Sequence, residues 1–338
     1  MKITDFFSLE DFSKTIPFTA LGARVCYNDG DLQSLLNDPR VVDKQTRANF
    51  LSKLGNYKHF SVFSHSFVYK KVGELNALKI AATKFKSHYN PKYPDVIGVS
   101  LRHYLEELLE IDPQQYLKAF EKIAEFDVPI NPLGTVENVS LIGLITEYDG
   151  YAVFFIDNVS RTLTHQLVRH TALNFSQRSQ RYVREEENYC IIPPSVKEND
   201  KTVDLKTVEN IKDLFDEILD IIKKSVDNTS QTVKDSIEIL DKRVNNIRLS
   251  KTMTAHEMAL VYDELSQLIY DLFVHYFKIK REDARFFLPN GRRTTIVVSG
   301  TLSWIRDFIQ KRNTPHAQWE IRSLAYKMQQ LLEEQGAF

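Results

Sequence analysis

The stretch RHTALNFSQRSQRYV, residues 169–183, restricts the fold and the function of this sequence more than any other. It holds four basic side chains, Arg169, His170, Arg178 and Arg181, among serine, asparagine and glutamine residues. Arginine binds phosphate or carboxylate through two parallel hydrogen bonds, and the cluster therefore predicts an anion-binding site. A basic helix end is the alternative, because cations near a helix C-terminus are stabilised by the helix dipole.

The apolar pattern that leads into this stretch predicts a helix over about 160–173. Such a helix would place four side chains on neighbouring turns: Gln166, Arg169, His170 and Leu173. The polar run NFSQRSQRY, residues 174–182, predicts an irregular loop with exposed backbone donors. The sequence thus predicts a helix that ends in an anion-binding loop.

The bulk composition excludes several functional classes. The 338 residues include 44 Lys and Arg against 45 Asp and Glu, which gives a formal charge of -1. General binding to nucleic acid or to a membrane surface requires a large basic excess, so we expect neither a nucleic acid polymer nor a membrane as a partner. The segment MKITDFFSLEDFSK has no apolar signal core, and no apolar run of about 18 residues follows. A cytoplasmic location is therefore expected.

Cysteine and histidine spacing predicts no metal site. Cys26 and Cys190 are too few for a disulfide framework or a cysteine-rich zinc site, and both are predicted to be core residues. His165 and His170 would point to different faces of the predicted helix, which does not suit a shared metal ion.

Periodicity along the chain predicts a mixed α and β protein in which helices outweigh strands. Strands are predicted at 59–69, at YAVFFI (151–156) and at TTIVVSG (294–300). The block at about 71–147 is predicted to be largely helical. Further helices are predicted around IKDLFDEILDIIKKSV, over 256–277, and at WIRDFIQKR and HAQWEIRSLAYKMQQLLEE near the end.

The motif spacing resembles that of the flavin-dependent thymidylate synthases. That family carries Arg-His-Arg, seven residues, Ser, and shortly afterwards Arg-Tyr. This chain has Arg169-His170-Thr171, seven residues, Ser179, and then Arg181-Tyr182. Three further segments resemble the family in the same order: GARVCY (22–27), KHFSVFSH (58–65), and ARFFLP (284–289) followed by RNTPHAQWEIRSLA (312–325). CIIPP (190–194) lies where the family has a strand ending in Ile-Pro. The resemblance covers roughly residues 15–70 and 150–335.

The resemblance implies an α+β fold with helices packed on a central mixed or antiparallel sheet. It implies one domain over 1–338, with 71–147 as a mainly helical insertion, and a homotetramer whose active sites form between subunits. The implied reaction is the reductive methylation of dUMP to dTMP. Methylenetetrahydrofolate gives the carbon, NADPH is the reductant, and FAD is the bound cofactor. The same site could instead hydroxymethylate C5 of a pyrimidine nucleotide, or the chain could be a non-catalytic nucleotide-binding subunit.

The resemblance also assigns roles to residues of this chain. The implied catalytic residues are Ser179, Arg312 and His170. The residues implied to bind dUMP are Gln166, Arg169, Gln177, Ser179, Arg181, Arg285 and Arg312. The residues implied to bind the cofactor are His59, Arg169, His170, Thr171 and His316. Within DARFFLP the apolar neighbours of Arg285 predict a buried partner for its charge, with an internal salt bridge to Asp283 as the alternative.

Five positions depart from the family pattern. Neutral residues stand where the family has arginine, glutamate or asparagine: Thr171, Ser64, Thr301, Ser303 and Gln177. The lost charges predict weaker FAD binding than in members with the full motif set. Basic residues at 70–72, at 83–86, and Arg292 and Arg293 are the candidates to replace them.

Overall fold

The apolar run YAVFFI forms, as predicted, a strand that is buried on both faces. Even-numbered side chains from Ala152 to Ile156 belong to one apolar cluster, and odd-numbered ones from Tyr151 to Phe155 belong to another. This alternation follows from the two-residue period of a strand. The strand therefore lies inside the protein with helices on both of its faces.

The computed structural model describes residues 2–83, 87–126, 129–185, 189–204, 216–220, 222–223, 230–250 and 252–338. The chain divides into two units. The first comprises Met1–Val159, Leu163–Arg178 and Thr294–Phe338, and the second comprises Ser160–Thr162 and Ser179–Arg293. The single domain with an insertion at 71–147 stays a prediction.

The described helices and strands have the following bounds. The helices are α1 Ile16–Tyr27, α2 Leu32–Leu36, α3 Pro39–Val42, α4 Lys44–Asn56, α5 Glu74–Ala81, α6 Leu101–Ile111, α7 Pro113–Ile123, α8 Arg161–Leu167, α9 Pro194–Lys197, α10 Gln231–Ser250, α11 Ala255–Asp271, α12 Arg281–Ala284, α13 Leu302–Arg312 and α14 Trp319–Glu334. The strands are β1 Phe67–Lys71, β2 Ser87–Tyr89, β3 Val96–Ser100, β4 Gly134–Val136, β5 Val139–Ile145, β6 Tyr151–Ser160, β7 Asn174–Gln177, β8 Thr202–Asp204, β9 Thr252–Thr254 and β10 Arg293–Thr301. A π-helical turn, Leu272–Tyr276, follows α11.

Two sheets organise the first unit. The larger has the strand order β4-β5-β6-β10-β7, and the smaller has the order β1-β3-β2. The pairs β4–β5, β5–β6, β7–β10, β1–β3 and β2–β3 are antiparallel. Helices α13 and α14 share the apolar cluster on one face of β6, and α1 shares the cluster on the other. The predicted class, helices packed on an antiparallel sheet, is confirmed.

Local sequence explains the helices of the block 71–147. Ser100 accepts a hydrogen bond from the backbone N–H of His103 and so caps α6. Asp112 caps α7, where Pro113 occupies the first helical position. Helices α5, α6 and α7 lie in this block, as its predicted helical character requires, but β2, β3, β4 and β5 also lie in it. Because β4 and β5 extend the central sheet, part of the block is integral to the first unit.

Tertiary pairing overrides three local predictions. The predicted strand at 59–69 is wrong in its first part, since Phe60–His65 is a 3-10 helix and only Phe67–Lys71 is a strand. The predicted helix over 160–173 ends at Leu167. The predicted loop begins instead with strand β7, which pairs with β10. The backbone N–H and C=O groups of β7 are hydrogen-bonded to β10 in this ladder instead of being exposed in a loop.

The imidazole of His65 joins two neighbouring strands of the central sheet, β10 and the edge strand β7. His65 is fully buried, its Nδ1 lies 2.8 Å from the hydroxyl of Ser299 on β10, and its Nε2 lies 2.8 Å from the hydroxyl of Ser176 on β7. Burial lowers the pKa of His65 to about 3, so the ring is neutral at pH 7. One ring nitrogen therefore donates and the other accepts.

The hydroxyl of Tyr151 fixes which nitrogen carries the proton. It donates to the carbonyl oxygen of Ser64 at 2.8 Å and accepts from the side-chain amide of Asn174 at 3.0 Å. Its single proton is thereby used, so in the 2.8 Å contact with Ser299 the serine donates. Ser299 must then accept from Nδ1 of His65. The neutral ring is held in one tautomer, with the proton on Nδ1.

Gly22 lets α1 approach this network closely. A Cβ atom at Gly22 would lie 2.5 Å from Cδ2 of the His65 ring, closer than a real carbon contact. The backbone of α1 therefore touches the imidazole where any larger residue would displace it. This contact gives a physical reason for the glycine in GARVCY.

The second unit is built on α10 and α11, which share an apolar cluster with Leu219. Strands β8 and β9 pair antiparallel beside them. The helix predicted over 256–277 is confirmed as α11 with its π-helical turn. Most of the helix predicted around IKDLFDEILDIIKKSV lies outside the described residues. In the described part of the chain, no helix is long and apolar enough to cross a membrane.

Cys190 departs from its prediction as a core residue. It is half-buried, and its Sγ and backbone N lie 3.0 and 2.7 Å from the carboxylate of Asp263. The same carboxylate lies 3.2 Å from the guanidinium of Arg292, which is fully buried. Cys26 is buried in the core as predicted, and burial raises its pKa to about 11.

His65 predicts an acid-sensitive fold. The folded protein keeps His65 neutral, whereas the unfolded chain takes up a proton there below about pH 6.5. Unfolding therefore takes up a proton as the pH falls, and the free energy of unfolding should drop by up to about 1.4 kcal/mol per pH unit between pH 6.5 and the folded pKa. Urea unfolding at several pH values measures this slope. His65→Gln, which hydrogen-bonds without titrating, should have a shallower slope, and equal slopes would contradict the argument.

Candidate functional site

The end of α8 places the first predicted site residues in a tight turn. The backbone N–H of Arg169 donates to the carbonyl of Gln166 at 3.3 Å, and that of His170 donates to the carbonyl of Leu167 at 3.0 Å. Each of these hydrogen bonds spans three residues, whereas an α-helical hydrogen bond spans four. The predicted α-helix therefore does not continue through Arg169 and His170, and their placement on successive helix turns is wrong. Arg169 is exposed, while Gln166 and His170 are half-buried. The side chains of Gln166 and His170 remain beside the end of α8, where they can contact a ligand.

Arg312, at the end of α13, contacts this turn. Its Nε donates to Nε2 of His170 at 3.0 Å. Because a guanidinium only donates, Nε2 of His170 accepts and its proton lies on Nδ1. The pKa of His170 is lowered by burial and then by the charges of Arg312 and Lys311, against an opposite effect of Asp307. The pair is a fixed cation beside a neutral imidazole.

Gln177, at the end of β7, is held by two hydroxyls. Its side-chain amide donates to Thr164 of α8 at 3.0 Å and to Thr294 of β10 at 3.3 Å. A glutamate in this place could not donate to either hydroxyl. Gln177 therefore has a defined position in the first unit, with its amide oxygen available to a ligand.

The histidines assigned to the cofactor lie in different settings. Nδ1 of His59 lies 3.0 Å from the hydroxyl of Tyr27, so the segments GARVCY and KHFSVFSH meet at this contact. Burial lowers the pKa of His59. His316 and Thr171 are exposed. The structure thus gives a fixed orientation to His59 and leaves His316 at the surface.

In the second unit, Arg181 and Arg285 meet at Glu282. The guanidinium of Arg181 lies 3.1 Å from the Glu282 carboxylate, and Nε of Arg285 donates to the Glu282 backbone carbonyl at 3.1 Å. The hydroxyl of Ser179 accepts from the backbone N–H of Arg181 at 3.2 Å. Three residues assigned to the nucleotide are therefore close together in this unit. Sequence reasoning missed Glu282, although it directly precedes DARFFLP.

The partner that Arg285 contacts in the structure is half-buried, not buried as predicted. The neighbours Phe286 and Phe287 of Arg285 are 79% and 56% exposed, so the apolar run DARFFLP lies at the surface. Arg285 itself is half-buried and contacts the carbonyl of Glu282 instead of the carboxylate of Asp283. Apolar residues beside an arginine indicated a core, but here they form an exposed aromatic surface. We define this surface as Tyr276, Phe277, Phe286 and Phe287.

Two of the departures from the family pattern join one hydrogen-bonded chain. The hydroxyls of Thr301 and Ser303 lie 3.0 Å apart, and Ser303 donates to Asp149 at 2.8 Å. Nε2 of His88 contacts the same carboxylate. Neutral hydroxyls thus bind the Asp149 carboxylate, which also contacts the His88 imidazole, where the family has asparagine and arginine.

A cavity of about 250 Å³ in the first unit lies beside these residues. Its walls carry the residues Ser64, Phe67, Ser87, His88, Ser100, Arg102, His103, Tyr151, Ala172, Asn174, Gly300, Thr301 and Trp304. Sequence reasoning missed the histidines and the arginine of this wall, because the block that supplies them matches no motif. Among the described residues, no group of three His, Cys, Asp or Glu side chains could hold a metal ion.

The fold and these contacts define an α+β protein with an arginine–histidine pair at the end of its central sheet and a second arginine cluster at Glu282. The family described as Thymidylate synthase complementing protein matches residues 150–335, more than half of the chain. The chain belongs to this family. The segment 15–70, in which GARVCY and KHFSVFSH lie, is outside the matched range.

Individual relatives agree with the family match. A "Flavin-dependent thymidylate synthase" of Corynebacterium diphtheriae is 32% identical over 185 residues, 55% of this chain and 58% of that protein. One from Clostridium tetani is 30% identical over 175 residues, 52% of this chain and 55% of that protein. One from Corynebacterium aurimucosum is 27% identical over 272 residues, 79% and 90% of the two chains. The chain spans less than two thirds of the first two relatives.

The contact between Arg312 and His170 predicts the direction of a pKa change. Replacing Arg312 by glutamine removes a positive charge beside His170 and should raise the pKa of that imidazole. Asp307→Asn is a control of opposite sign, because it removes a nearby negative charge and should lower the pKa further. NMR titration of the His170 ring protons measures both. An unchanged pKa in Arg312→Gln would place the two side chains apart.

Proposed function

We propose that the protein is a flavin-dependent thymidylate synthase, which catalyses the reductive methylation of dUMP to dTMP. The observation that carries the proposal is the 3.0 Å hydrogen bond from Arg312 to His170. These two residues are far apart in the sequence, and the family resemblance assigns both to catalysis. Membership of the family and the names of the relatives support the same reaction.

Arg312 is suited to stabilise charge on the pyrimidine ring. A cation held by a neutral imidazole has one orientation and costs little reorganisation when negative charge develops on the substrate. In the proposed reaction that charge develops as C5 of dUMP becomes nucleophilic. His170 orients the guanidinium, and its own Nδ1 proton remains available to a second partner.

The proposed nucleotide site uses the residues Gln166, Arg169, Gln177, Ser179, Arg181, Arg285 and Arg312. Arg181 and Arg285 supply hydrogen-bond donors that now contact Glu282. A phosphate can accept from these donors alongside Glu282 or in its place. Ser179 is proposed to act as a hydrogen-bond donor. Its hydroxyl contacts the backbone of Arg181, and the described residues bring no histidine–acid pair to it.

The residues of the first unit fit a flavin cofactor. The cavity wall offers hydroxyl, amide, imidazole and guanidinium donors, together with aromatic rings, to a polar heterocyclic ligand. We propose FAD as this cofactor, bound by His59, Arg169, His170, Thr171 and His316, with NADPH and methylenetetrahydrofolate as co-substrates. When bound, FAD supplies the hydride.

A homotetramer and a cytoplasmic location complete the proposal. The family resemblance implies that arginines of neighbouring subunits meet one nucleotide, so the arginines of one chain need not converge. The aromatic surface supports a contact with a second copy of the chain, because Phe286 and Phe277 are 79% and 59% exposed. Both cysteines are unpaired, which suits a reducing compartment.

Product mass tests the proposed reaction. Purified protein incubated with dUMP, methylenetetrahydrofolate, NADPH and FAD should form dTMP, measured by mass spectrometry. Arg312→Gln should lower kcat by about 10²- to 10³-fold, the effect of removing one donor that stabilises developing charge. A product heavier than dTMP by one oxygen would favour hydroxymethylation. Binding of dUMP without any product would favour the non-catalytic subunit.

Arg285 should contribute to dUMP affinity. Calorimetry of Arg285→Ala should show dUMP binding weakened by about 1.5–3 kcal/mol, the scale of a hydrogen bond to a charged group. Arg281→Ala is the matched control, since Arg281 begins the short helix that ends just before Arg285 and donates to the backbone of Tyr182. Equal losses in both variants, or none in either, would remove Arg285 from the site.

A further inference from the structure

The cavity wall of the first unit includes two of the five positions at which this chain departs from the family pattern. Ser64 and Thr301 form part of this wall, and Ala172, which follows Thr171, forms another part. The family pattern has charged or amide side chains at 64, 171 and 301. The wall of this cavity of about 250 Å³ therefore lacks the acid and the amide that the family pattern has at 64 and 301.

The opposite wall comes from residues 87–103. This segment supplies Ser87, His88, Ser100, Arg102 and His103 to the cavity, and it lies in the block that the family motifs do not cover. It reaches the site through β2 and β3, which pair in the smaller sheet, and through the first turn of α6. The chain has new polar groups at the place where the motif groups are absent.

The charge of the wall is positive. The described lining includes one arginine and two histidines but no aspartate or glutamate. Nε of Arg102 donates to Glu106 at 2.6 Å, and no hydrogen bond joins its terminal nitrogens to the described residues. Burial lowers the pKa of His103 to about 4, so His103 is a neutral donor or acceptor. Arg102 is therefore the permanent cation of the wall.

Three of the basic residues that the sequence offered as replacements form ion pairs with carboxylates, as Arg102 does with Glu106. Lys70 lies 2.9 Å from the carboxylate of Asp11, and Lys71 lies 3.2 Å from that of Asp95. Arg292 is fully buried in its own ion pair. The segment 84–86 lies outside the described residues. Of these candidates and Arg102, only Arg102 forms part of the cavity wall.

We propose that Arg102, with His88 and His103, binds a phosphate group of a ligand in this cavity. Guanidinium and imidazole are the side chains that bind phosphate through directed hydrogen bonds. The cavity is smaller than the 300–1,000 Å³ or so of a site that encloses a whole ligand, so it holds the phosphate end of a larger molecule. The identity of that molecule as FAD rests on the proposed function.

Flavins with and without phosphate separate this role from simple packing. In fluorescence titrations, Arg102→Gln should weaken FAD by about 10- to 100-fold, the loss of one hydrogen bond to a charged group, and leave riboflavin unchanged. Arg102→Lys should restore part of the affinity because it keeps the charge. Arg40→Gln is the control, since Arg40 is also an exposed arginine beside a carboxylate and lies outside the cavity. Equal loss of FAD and riboflavin, or no loss, would overturn the proposal.

Pyrophosphate tests the site if the wild-type protein binds no flavin. In that case the proposed function fails, but added inorganic pyrophosphate should still shift the NMR signals of the His88 and His103 rings. The shift should disappear in Arg102→Gln and remain in Arg40→Gln. If pyrophosphate leaves both rings unchanged, or shifts them equally in the two variants, the phosphate site is ruled out.

Discussion

A single buried imidazole holds the central sheet to the rest of the first unit. His65 stays neutral because it is fully buried, and its two nitrogens join hydroxyls on β7 and β10. Because one nitrogen must donate and the other accept, both strands are fixed in register with the segment 60–65 that carries the ring. The close approach of Gly22 then fixes α1 against the same ring. The positions of the central sheet, of α1 and of the 3-10 helix Phe60–His65 thus depend on which ring nitrogen of His65 carries the proton.

Periodicity predicted the elements whose environment is uniform along their length. β6, β10, α13 and α14 were all indicated by their apolar spacing, because each lies against an apolar cluster. The predicted helix over 160–173 failed after Leu167, where strand pairing with β10 outweighs helix propensity. The segment 59–69 failed for a related reason. The side chain of His65, one of its polar residues, hydrogen-bonds inside the protein. The alternation of polar and apolar residues in this segment therefore does not indicate a strand with one exposed face.

The site was predictable where a motif spans distant segments. Spacing of the Arg-His motif and the C-terminal signature identified His170 and Arg312, which touch. Sequence alone did not indicate Glu282, whose role depends on two arginines meeting at one short helix. It also missed Arg102 and His88, because ordinary helix and strand patterns surround them. Side chains that line a cavity come from several elements, so they do not recur at the spacing of one helix or strand in the sequence.

The antiparallel pairing of β7 with β10 allows the segment between these two strands to vary in length. The chain leaves the first unit after Arg178 and returns at Thr294, yet the backbone N–H of Arg178 donates to the carbonyl of Thr295 at 2.9 Å. The two ends of the long excursion are therefore already neighbours in a ladder. Loop-closure entropy rises only slowly with loop length, so segments can be gained or lost between these ends at small cost to the sheet. The central sheet can therefore stay unchanged while the segment between Arg178 and Thr294 changes in length.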